Sequence, residues 1–277
     1  MGLRIATNVA SLNAQKNLMG NTLNMNRSFE RLSSGNRINR AADDAAGLAI
    51  SENLKAIIRG YRQADRNAND GISLVQVAEG SLNEVSNMLI RLRELAIQAG
   101  SDTVGDTERK FVDVEYQQLK SEMQRITEAT EFNGYELLNG TGGVIDIQVG
   151  VRNNPFLDRI SFNSSAANAT LDALGMTAET VATKEGAQMS LDVVDNALVS
   201  VNAIRANFGA LQNRLVSTSQ NLKVADENFS AANSRIRDAD IAAETSELTK
   251  NNILQQAAVS VLSQANNAQQ MALKLLG

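Results

Sequence analysis

The chain has 277 residues, a net charge of −5, one proline, no cysteine and no histidine. Without Cys and His, the chain cannot use disulfides, thiol nucleophiles, Cys/His zinc sites or imidazole general bases. The mild negative charge disfavours nucleic acid as the main partner, and the scarcity of proline favours long helices.

The two ends of the chain have few charges. Residues 1–29 contain no acidic residue, and residues 251–277 carry a single charge, Lys274. Helices of this composition gain little from ion pairs or apolar burial. We therefore expect the end helices to pack antiparallel and to be largely disordered in a lone monomer, folding when neighbouring copies supply apolar surface. The candidate polymerisation residues are Ile5, Val9, Leu12, Leu254, Ala258, Val261, Ala265 and Leu275.

Residues 44–99 predict one long helix. Their apolar residues recur mainly at alternating steps of four and three, as in a coiled-coil seam. Asp43 or Asp44 is a suitable N-cap and Gly100 a suitable stop. Three glycines weaken the prediction that this helix is unbroken: Gly60, Gly71 and Gly80.

A second helix is predicted to start at Asp106 or Thr107, and the dipeptide Asn133-Gly134 predicts a tight turn after it. Partial alternation at residues 144–149 and 159–162 predicts a small β-hairpin, and residues 163–183 are expected to be irregular.

Helical periodicity returns at Lys184, and a further run follows Asp240. Glutamines and asparagines interrupt the apolar residues of that last run, so no membrane insertion is expected.

Four motifs together identify a family. They are SFERLSSGNRINRAADDAAGLAI (28–50), IRLRELAIQAG (90–100), TEFNGYELLNG (130–140) and the stretch 234–276. The chain resembles bacterial flagellin, the subunit of the flagellar filament, essentially from end to end. Only residues 140–183 separate the third motif from the returning helix, so the chain resembles a short form without the outer variable domains.

The resemblance implies a mainly α fold that is elongated, with long antiparallel coiled-coil-like helices and a small β-hairpin region. It implies an inner terminal-helix domain of residues 1–43 plus 235–277, paired as an antiparallel coiled coil. Residues 44–234 would be a rod-like outer-tube domain, with its hairpin around 140–183.

The implied function is polymerisation into the extracellular filament for swimming, after export of the unfolded chain by the flagellar type III apparatus. The implied partners are copies of the chain, an export chaperone on the C-terminal helix, and hook-associated junction and cap proteins. A host partner, vertebrate Toll-like receptor 5, is implied by the motif at 90–100. Its candidate contacts are Arg91, Leu95 and, on the next helix, Glu115.

The motifs RINRAADDAAG (37–47) and RIRDADIAAE (235–244) have similar compositions, and each marks the inner edge of a terminal segment. We expect them to lie side by side and to link the two domains. The candidate linker residues are Arg37, Arg40, Asp43, Asp44, Arg237, Asp238 and Asp240.

The alternative functions rest on weaker patterns. Asp43 and Asp44 are adjacent, so on a helix their side chains diverge by about 100°, and a capping role is favoured over catalysis. We expect no enzyme activity and no cofactor. A hook–filament junction protein and a cytosolic coiled-coil adaptor remain alternatives, although alanines flank the Asp-Asp pair (AADDAAG) where junction proteins typically carry proline.

Overall fold

The computed structural model describes the backbone of residues 7–274 and leaves the side chains of residues 269 and 271–274 undescribed. Ile5 and Leu275 lie outside the described residues. The described helices are α1 (Val9–Ser34), α2 (Ala45–Ala99), α3 (Asp106–Ala129), α4 (Lys184–Arg237) and α5 (Ile241–Lys274). The strands are β1 (Glu131–Phe132), β2 (Tyr135–Glu136), β3 (Val144–Gln148) and β4 (Arg159–Asn163). The predicted mainly α class with long helices is confirmed.

The long helix α2 begins and ends where its capping residues predict. The Gly47 N–H donates to Asp44 Oδ1 at 2.8 Å, which satisfies one of the free donors of the first turn. The helix ends at Ala99, and Gly100 follows it. Asn8 caps α1 in the same way, because its Oδ1 accepts from the Ser11 N–H at 3.0 Å.

Helix α2 is continuous through its three glycines, and two of them allow close packing. A Cβ at Gly60 would lie 2.7 Å from Val151 Cγ1, and one at Gly71 would lie 2.6 Å from Ile147 Cδ1. Glycine at these positions lets the strand β3 and the residues that follow it approach the helix backbone. The prediction of one long helix is therefore correct despite its glycines, and tertiary packing accounts for two of them.

The chain separates into two compact units, and each is described by itself. Unit 1 comprises residues 1–57 and 228–277, and unit 2 comprises residues 58–227. In unit 1, α1 and α5 run antiparallel: the Asn8 Nδ2 donates to the Ala265 carbonyl at 3.1 Å, and Arg31 Nη1 lies 3.6 Å from Glu244 Oε2. The predicted antiparallel pairing of the end helices is confirmed, whereas the predicted domain boundaries stay a prediction.

In unit 2, α2 and α4 also run antiparallel. Arg62 Nε lies 3.0 Å from Asp226 Oδ2 and Arg93 Nε lies 2.6 Å from Asp195 Oδ1, so numbers rise along one helix as they fall along the other. Their facing sides form one apolar core with α3 and the β-hairpins. Its largest fully buried side chains include Leu82, Leu89, Leu92, Tyr116, Met123, Phe208 and Leu215.

Two antiparallel hairpins lie in unit 2. Strands β1 and β2 are joined by Asn133 and Gly134, whose φ angles of 51° and 80° fit a type I′ turn. Strands β3 and β4 pair with Ile147 opposite Ile160. Residues 163–183 form a short 3-10 helix, Ser164–Ala167, and turns, so the irregular segment is largely as expected.

Candidate assembly and receptor surfaces

Helices α1 and α5 expose large apolar side chains. Val9, Leu12, Met19 and Leu23 are spaced by three, seven and four residues, so they share one face of α1. All four are more than half exposed, and Met19 reaches 69%. We call the following set the exposed apolar residues of unit 1: Val9, Leu12, Met19, Leu23 and Phe29 on α1, and Ile241, Ile253, Leu254, Val259 and Val261 on α5.

The contact between α1 and α5 is built from small and polar side chains. Ser11, Ala14 and Ser28 are the buried residues of α1, and Asn251 is buried on α5. Such side chains bury little apolar area, so the pair gains little hydrophobic stabilisation from its own contact. The large apolar side chains remain available to a partner.

The candidate polymerisation residues whose side chains the structure describes divide into two groups. Val9, Leu12, Leu254 and Val261 are exposed, as a contact with another chain requires. Ala258 and Ala265 are half-buried. Ile5 and Leu275 fall on residues that the structure does not describe.

The two motifs predicted to lie side by side are joined by backbone hydrogen bonds within unit 1. The Arg37 N–H donates to the Arg237 carbonyl at 2.6 Å, and the Ala239 N–H donates to the Gly35 carbonyl at 2.9 Å. Asn36 and Asp238 form an antiparallel β-bridge between these bonds. The segments that flank α1 and α5 therefore form a short backbone ladder.

Charged side chains reinforce this ladder. The Arg37 Nη2 donates to the Ile236 carbonyl at 2.8 Å, and Arg40 Nε lies 2.9 Å from Glu30 Oε1. Arg237 Nη1 lies 2.5 Å from Glu52 Oε1, and this hydrogen bond holds the pKa of Glu52 below its ordinary value.

Three of the acidic linker candidates accept backbone hydrogen bonds, and two of them cap helices. Asp43 Oδ2 accepts from the backbone N–H of Arg40 at 3.0 Å, and this bond is the main cause of the lowered pKa of Asp43. Asp44 caps α2, and Asp240 Oδ1 accepts from the Ala242 N–H at 2.9 Å at the start of α5. These bonds favour the capping interpretation over a catalytic carboxylate pair.

The structure brings two of the three receptor candidates together. Arg91 donates to Glu115 Oε1 from Nε at 3.0 Å and from Nη2 at 2.8 Å, and its Nη1 donates to Glu94 at 2.9 Å. Glu115 is the main cause of the raised pKa of Arg91. Both side chains are about half exposed, at 49% and 48%.

Leu95 does not fit the predicted receptor surface. It is 1% exposed and belongs to the apolar core of unit 2. Its spacing of four residues from Arg91 placed it on the same side of α2, but Leu95 lies with Leu92 and Ala96 on the face that the core covers, whereas Arg91 is half exposed. Exposed apolar residues that flank the ion pair in sequence were not predicted. They are Ile90, just before Arg91, and Phe111 and Val114, just before Glu115.

Two buried cations were also missed, because charged side chains are expected at the surface. Arg109 is 6% exposed, and its guanidinium donates to the carbonyls of Ala99 at 2.7 Å and Ser101 at 2.9 Å. Lys120 Nζ donates to the carbonyls of Thr177 and Glu179, and burial lowers its pKa. Both buried cations are thus hydrogen-bonded to backbone carbonyls, which offsets part of the cost of burying their charge.

Within residues 7–274, no helix is long and apolar enough to cross a membrane. Among the side chains that the structure describes, no group of three or more His, Cys, Asp or Glu is placed to hold a metal ion.

Comparison with known proteins decides the family. The family model for the bacterial flagellin N-terminal helical region matches residues 5–142, and the model for the C-terminal helical region matches residues 191–276. The chain belongs to the bacterial flagellin family. The predicted resemblance is confirmed, and with it the interpretation as a structural subunit of the flagellar filament, from a family that is not enzymatic.

Relatives match along nearly their full length. A flagellin of Halalkalibacterium halodurans is 46% identical over 272 residues, which cover 97% of this chain and 98% of the relative. A flagellin of Bacillus subtilis is 41% identical and covers 99% of this chain and 100% of the relative. The crystal structure of Bacillus cereus flagellin is 31% identical with a TM-score of 0.51, covering 57% of this chain and 88% of that one. The junction-protein and adaptor alternatives are not favoured.

Proposed function

We propose that the chain joins copies of itself into the filament through the exposed apolar residues of unit 1. One observation carries this proposal: α1 and α5 bury serines, an alanine and an asparagine between them and leave leucine, valine, isoleucine and phenylalanine in solvent. A pair built in this way gains most of its apolar burial from other chains. Repetition of one such contact between unlike surfaces gives an open helical polymer.

The same energetics support folding of the ends on assembly. A helix pair with little apolar contact is only marginally stable in water. In the monomer its contacts do not offset the conformational entropy lost on ordering, so the ends stay disordered. Limited proteolysis of the monomer tests this, with an expected loss of roughly forty residues from each end while the middle resists. Equal resistance along the whole chain would contradict it.

Assembly is tested by electron microscopy of purified chains carrying Leu23→Gln, with Leu23→Met as the matched control. Leu23 is 60% exposed, so neither change disturbs a packed monomer core. The glutamine is expected to abolish or strongly shorten filaments because it places a polar group where an apolar contact forms. The methionine keeps the apolar contact and is expected to assemble. Normal filaments from Leu23→Gln would remove α1 from the assembly surface.

The finer biology is part of the proposal. The chain would be secreted unfolded through the flagellar type III apparatus, with an export chaperone covering α5. Cover is needed because Ile253, Val259 and Val261 are more than half exposed, and exposed apolar segments aggregate. At the filament ends, the same helices would meet the hook-associated junction and cap proteins. Co-purification of the chain with a chaperone should be lost when α5 is deleted.

A second proposed function is recognition by Toll-like receptor 5 at the Arg91–Glu115 pair. Its support is the half-exposed ion pair, whose two residues are flanked in sequence by the exposed side chains of Ile90, Phe111 and Val114. A reporter-cell assay of Arg91→Ala tests it. Arg93→Ala is the matched control, because Arg93 is also exposed and ion-paired, to Asp195. Loss of signalling with Arg91→Ala alone supports the site, and unchanged signalling removes Arg91 from it.

A further inference from the structure

A polar pocket lies between α1 and α5, away from the receptor candidates and without an assigned role. Its volume is about 220 Å³. Asn24, Arg27, Ser28 and Arg31 line it from α1, and Glu244, Glu247 and Asn251 line it from α5. All of these residues belong to unit 1.

Two side chains of this pocket carry a hydrogen-bond donor without an acceptor among the described residues. Asn251 is 2% exposed, and within that part of the chain neither its Nδ2 nor the buried Nε of Arg31 has a hydrogen-bond partner. Arg31 Nη1 lies 3.6 Å from Glu244 Oε2, which is longer than a hydrogen bond. Buried donors without an acceptor are unfavourable, and native structures rarely keep them. Both donors belong to side chains that line this pocket, so an acceptor placed in it would relieve this cost.

The charges of the pocket favour a neutral acceptor. Two arginines and two glutamates line it, and Glu247 already pairs with Lys250, whose Nζ lies 3.2 Å from Oε2. The two glutamates would oppose an incoming carboxylate. A side-chain amide oxygen accepts two hydrogen bonds without adding charge.

The pocket is continuous with the proposed assembly surface. Arg27 follows the exposed Leu23 by four residues on α1, and Leu254 follows Asn251 by three on α5. Residues at these spacings are neighbours on a helix surface. A second copy that covers the exposed apolar residues of unit 1 therefore also reaches the mouth of the pocket.

We propose that a side-chain amide oxygen of asparagine or glutamine, from an end helix of a second copy, enters this pocket and accepts hydrogen bonds from Asn251 Nδ2 and Arg31 Nε. The end segments supply such groups: residues 251–277 are rich in Asn and Gln and carry one charge. The proposal rests on the proposed function, because the acceptor comes from a neighbouring subunit. It adds a polar contact that sets the register of an otherwise apolar interface.

The experiment measures the critical monomer concentration for filament growth of the full chain. Asn251→Leu keeps the size of the side chain and removes the donor, and Asn251→Asp replaces the donor by a carboxylate that also pairs with Arg31. Both are expected to raise the critical concentration about tenfold, since each leaves the incoming oxygen without the hydrogen bond from Asn251. Asn252→Leu is the matched control, being the same change on the next residue, which does not line the pocket; it is expected to stay within about twofold of wild type.

Three outcomes separate the possibilities. If Asn251→Leu and Asn251→Asp assemble as well as or better than wild type, a water molecule or nothing fills the pocket and the inference is overturned. If sulfate, compared with chloride at equal ionic strength, raises the melting temperature of wild-type filaments but not of Asn251→Leu filaments, a free anion occupies the pocket and the inference is again overturned. If wild-type chains form no filaments, the proposed function itself fails.

The variants must also be shown to fold. Unit 2 does not contain Asn251, so its thermal melting in the monomer should equal that of wild type for all three variants. Loss of unit 2 melting in Asn251→Leu and Asn251→Asp but not in Asn252→Leu would place Asn251 in monomer folding and overturn the inference.

Discussion

Unit 1 and unit 2 use the same kinds of residue in opposite ways. In unit 2, the leucines at 82, 89 and 92 are fully buried, whereas in unit 1 Leu12 and Leu23 are more than half exposed. The interior of the α1·α5 pair instead holds Ser11, Ser28 and Asn251. Unit 2 buries its large apolar side chains by itself, whereas unit 1 is the part that we propose gains its apolar burial from other chains. Periodicity places a residue on a helix face, and the available neighbours decide whether that face is covered.

The largest expected effect contrasts two phenylalanines. Phe208 is fully buried in unit 2 and packs on Phe162, with ring centroids 4.8 Å apart; Phe29 is 51% exposed in unit 1. Phe208→Ala should lower the free energy of unfolding of the monomer by about 3–5 kcal/mol because it leaves a cavity. Phe29→Ala should change it by no more than about 0.5 kcal/mol. Urea denaturation of both monomers measures the difference, and equal effects would break the contrast between the units.

A second prediction uses two glycines of one helix. A Cβ at Gly71 would lie 2.6 Å from Ile147 Cδ1 and 3.2 Å from Leu215 Cδ1, whereas a Cβ at Gly80 would meet nothing within 4 Å. Gly71→Ala should destabilise unit 2 by about 1–3 kcal/mol through overpacking. Gly80→Ala should stabilise it by about 0.5–1 kcal/mol, because alanine is the better helix former. If both substitutions changed the melting temperature in the same direction, the β3–β4 hairpin would not be tightly packed against α2.

A third prediction concerns Tyr116, whose buried hydroxyl has no hydrogen-bond partner within the described part of the chain. Burial raises its pKa to about 12 from an ordinary value of 10.0, although the nearby Ser190 hydroxyl opposes the shift. The pKa of Tyr116 is higher in the folded than in the unfolded chain. The stability that depends on a protonated Tyr116 hydroxyl is therefore fully present below pH 10 and is lost as the pH rises towards about 12.

Tyr116→Phe removes both the unsatisfied hydroxyl and this titration. The variant should be more stable than wild type by about 1 kcal/mol at neutral pH. Its advantage should grow in urea titrations above about pH 10, the unfolded pKa of tyrosine. An unchanged pH dependence would assign the alkaline loss of stability to other groups.

The smallest expected effect lies in unit 1, at Asp43. Its pKa is lowered from 3.8, chiefly by the backbone N–H of Arg40, so its stabilising contribution is present above the unfolded pKa and is lost as the pH falls through the folded value. Filaments should therefore melt at a lower temperature in acid than at neutral pH, and Asp43→Asn filaments should show a smaller shift. An equal shift in both would remove Asp43 from the acid response.

Local signals in the sequence were sufficient for most elements. Asp44 and Gly100 marked the ends of α2, Asn133-Gly134 marked the hairpin turn, and Lys184 and Asp240 marked the starts of the last two helices. These signals work because capping and positive φ angles depend on residues close in sequence. The family motifs added the filament function, which no local rule encodes.

Other features depended on contacts between distant residues. The glycines of α2 suggested a break, but Val151 and Ile147 fill the space beside Gly60 and Gly71. Leu95 shared a helix side with Arg91 and was expected to contact a receptor, yet the core of unit 2 covers it. The sequence neighbours of Gly60, Gly71 and Leu95 do not show whether another part of the chain covers these helix positions.

Periodicity, caps and motifs are local, so the helices, their ends, the hairpins and the family could be predicted from the sequence. The folded structure was needed to show which apolar side chains are covered, which charged side chains are buried and which buried donors, such as Asn251 Nδ2, lack an acceptor among the described residues. The physical reason is that burial and hydrogen-bond satisfaction belong to pairs of surfaces, and residues far apart in the chain supply the second surface.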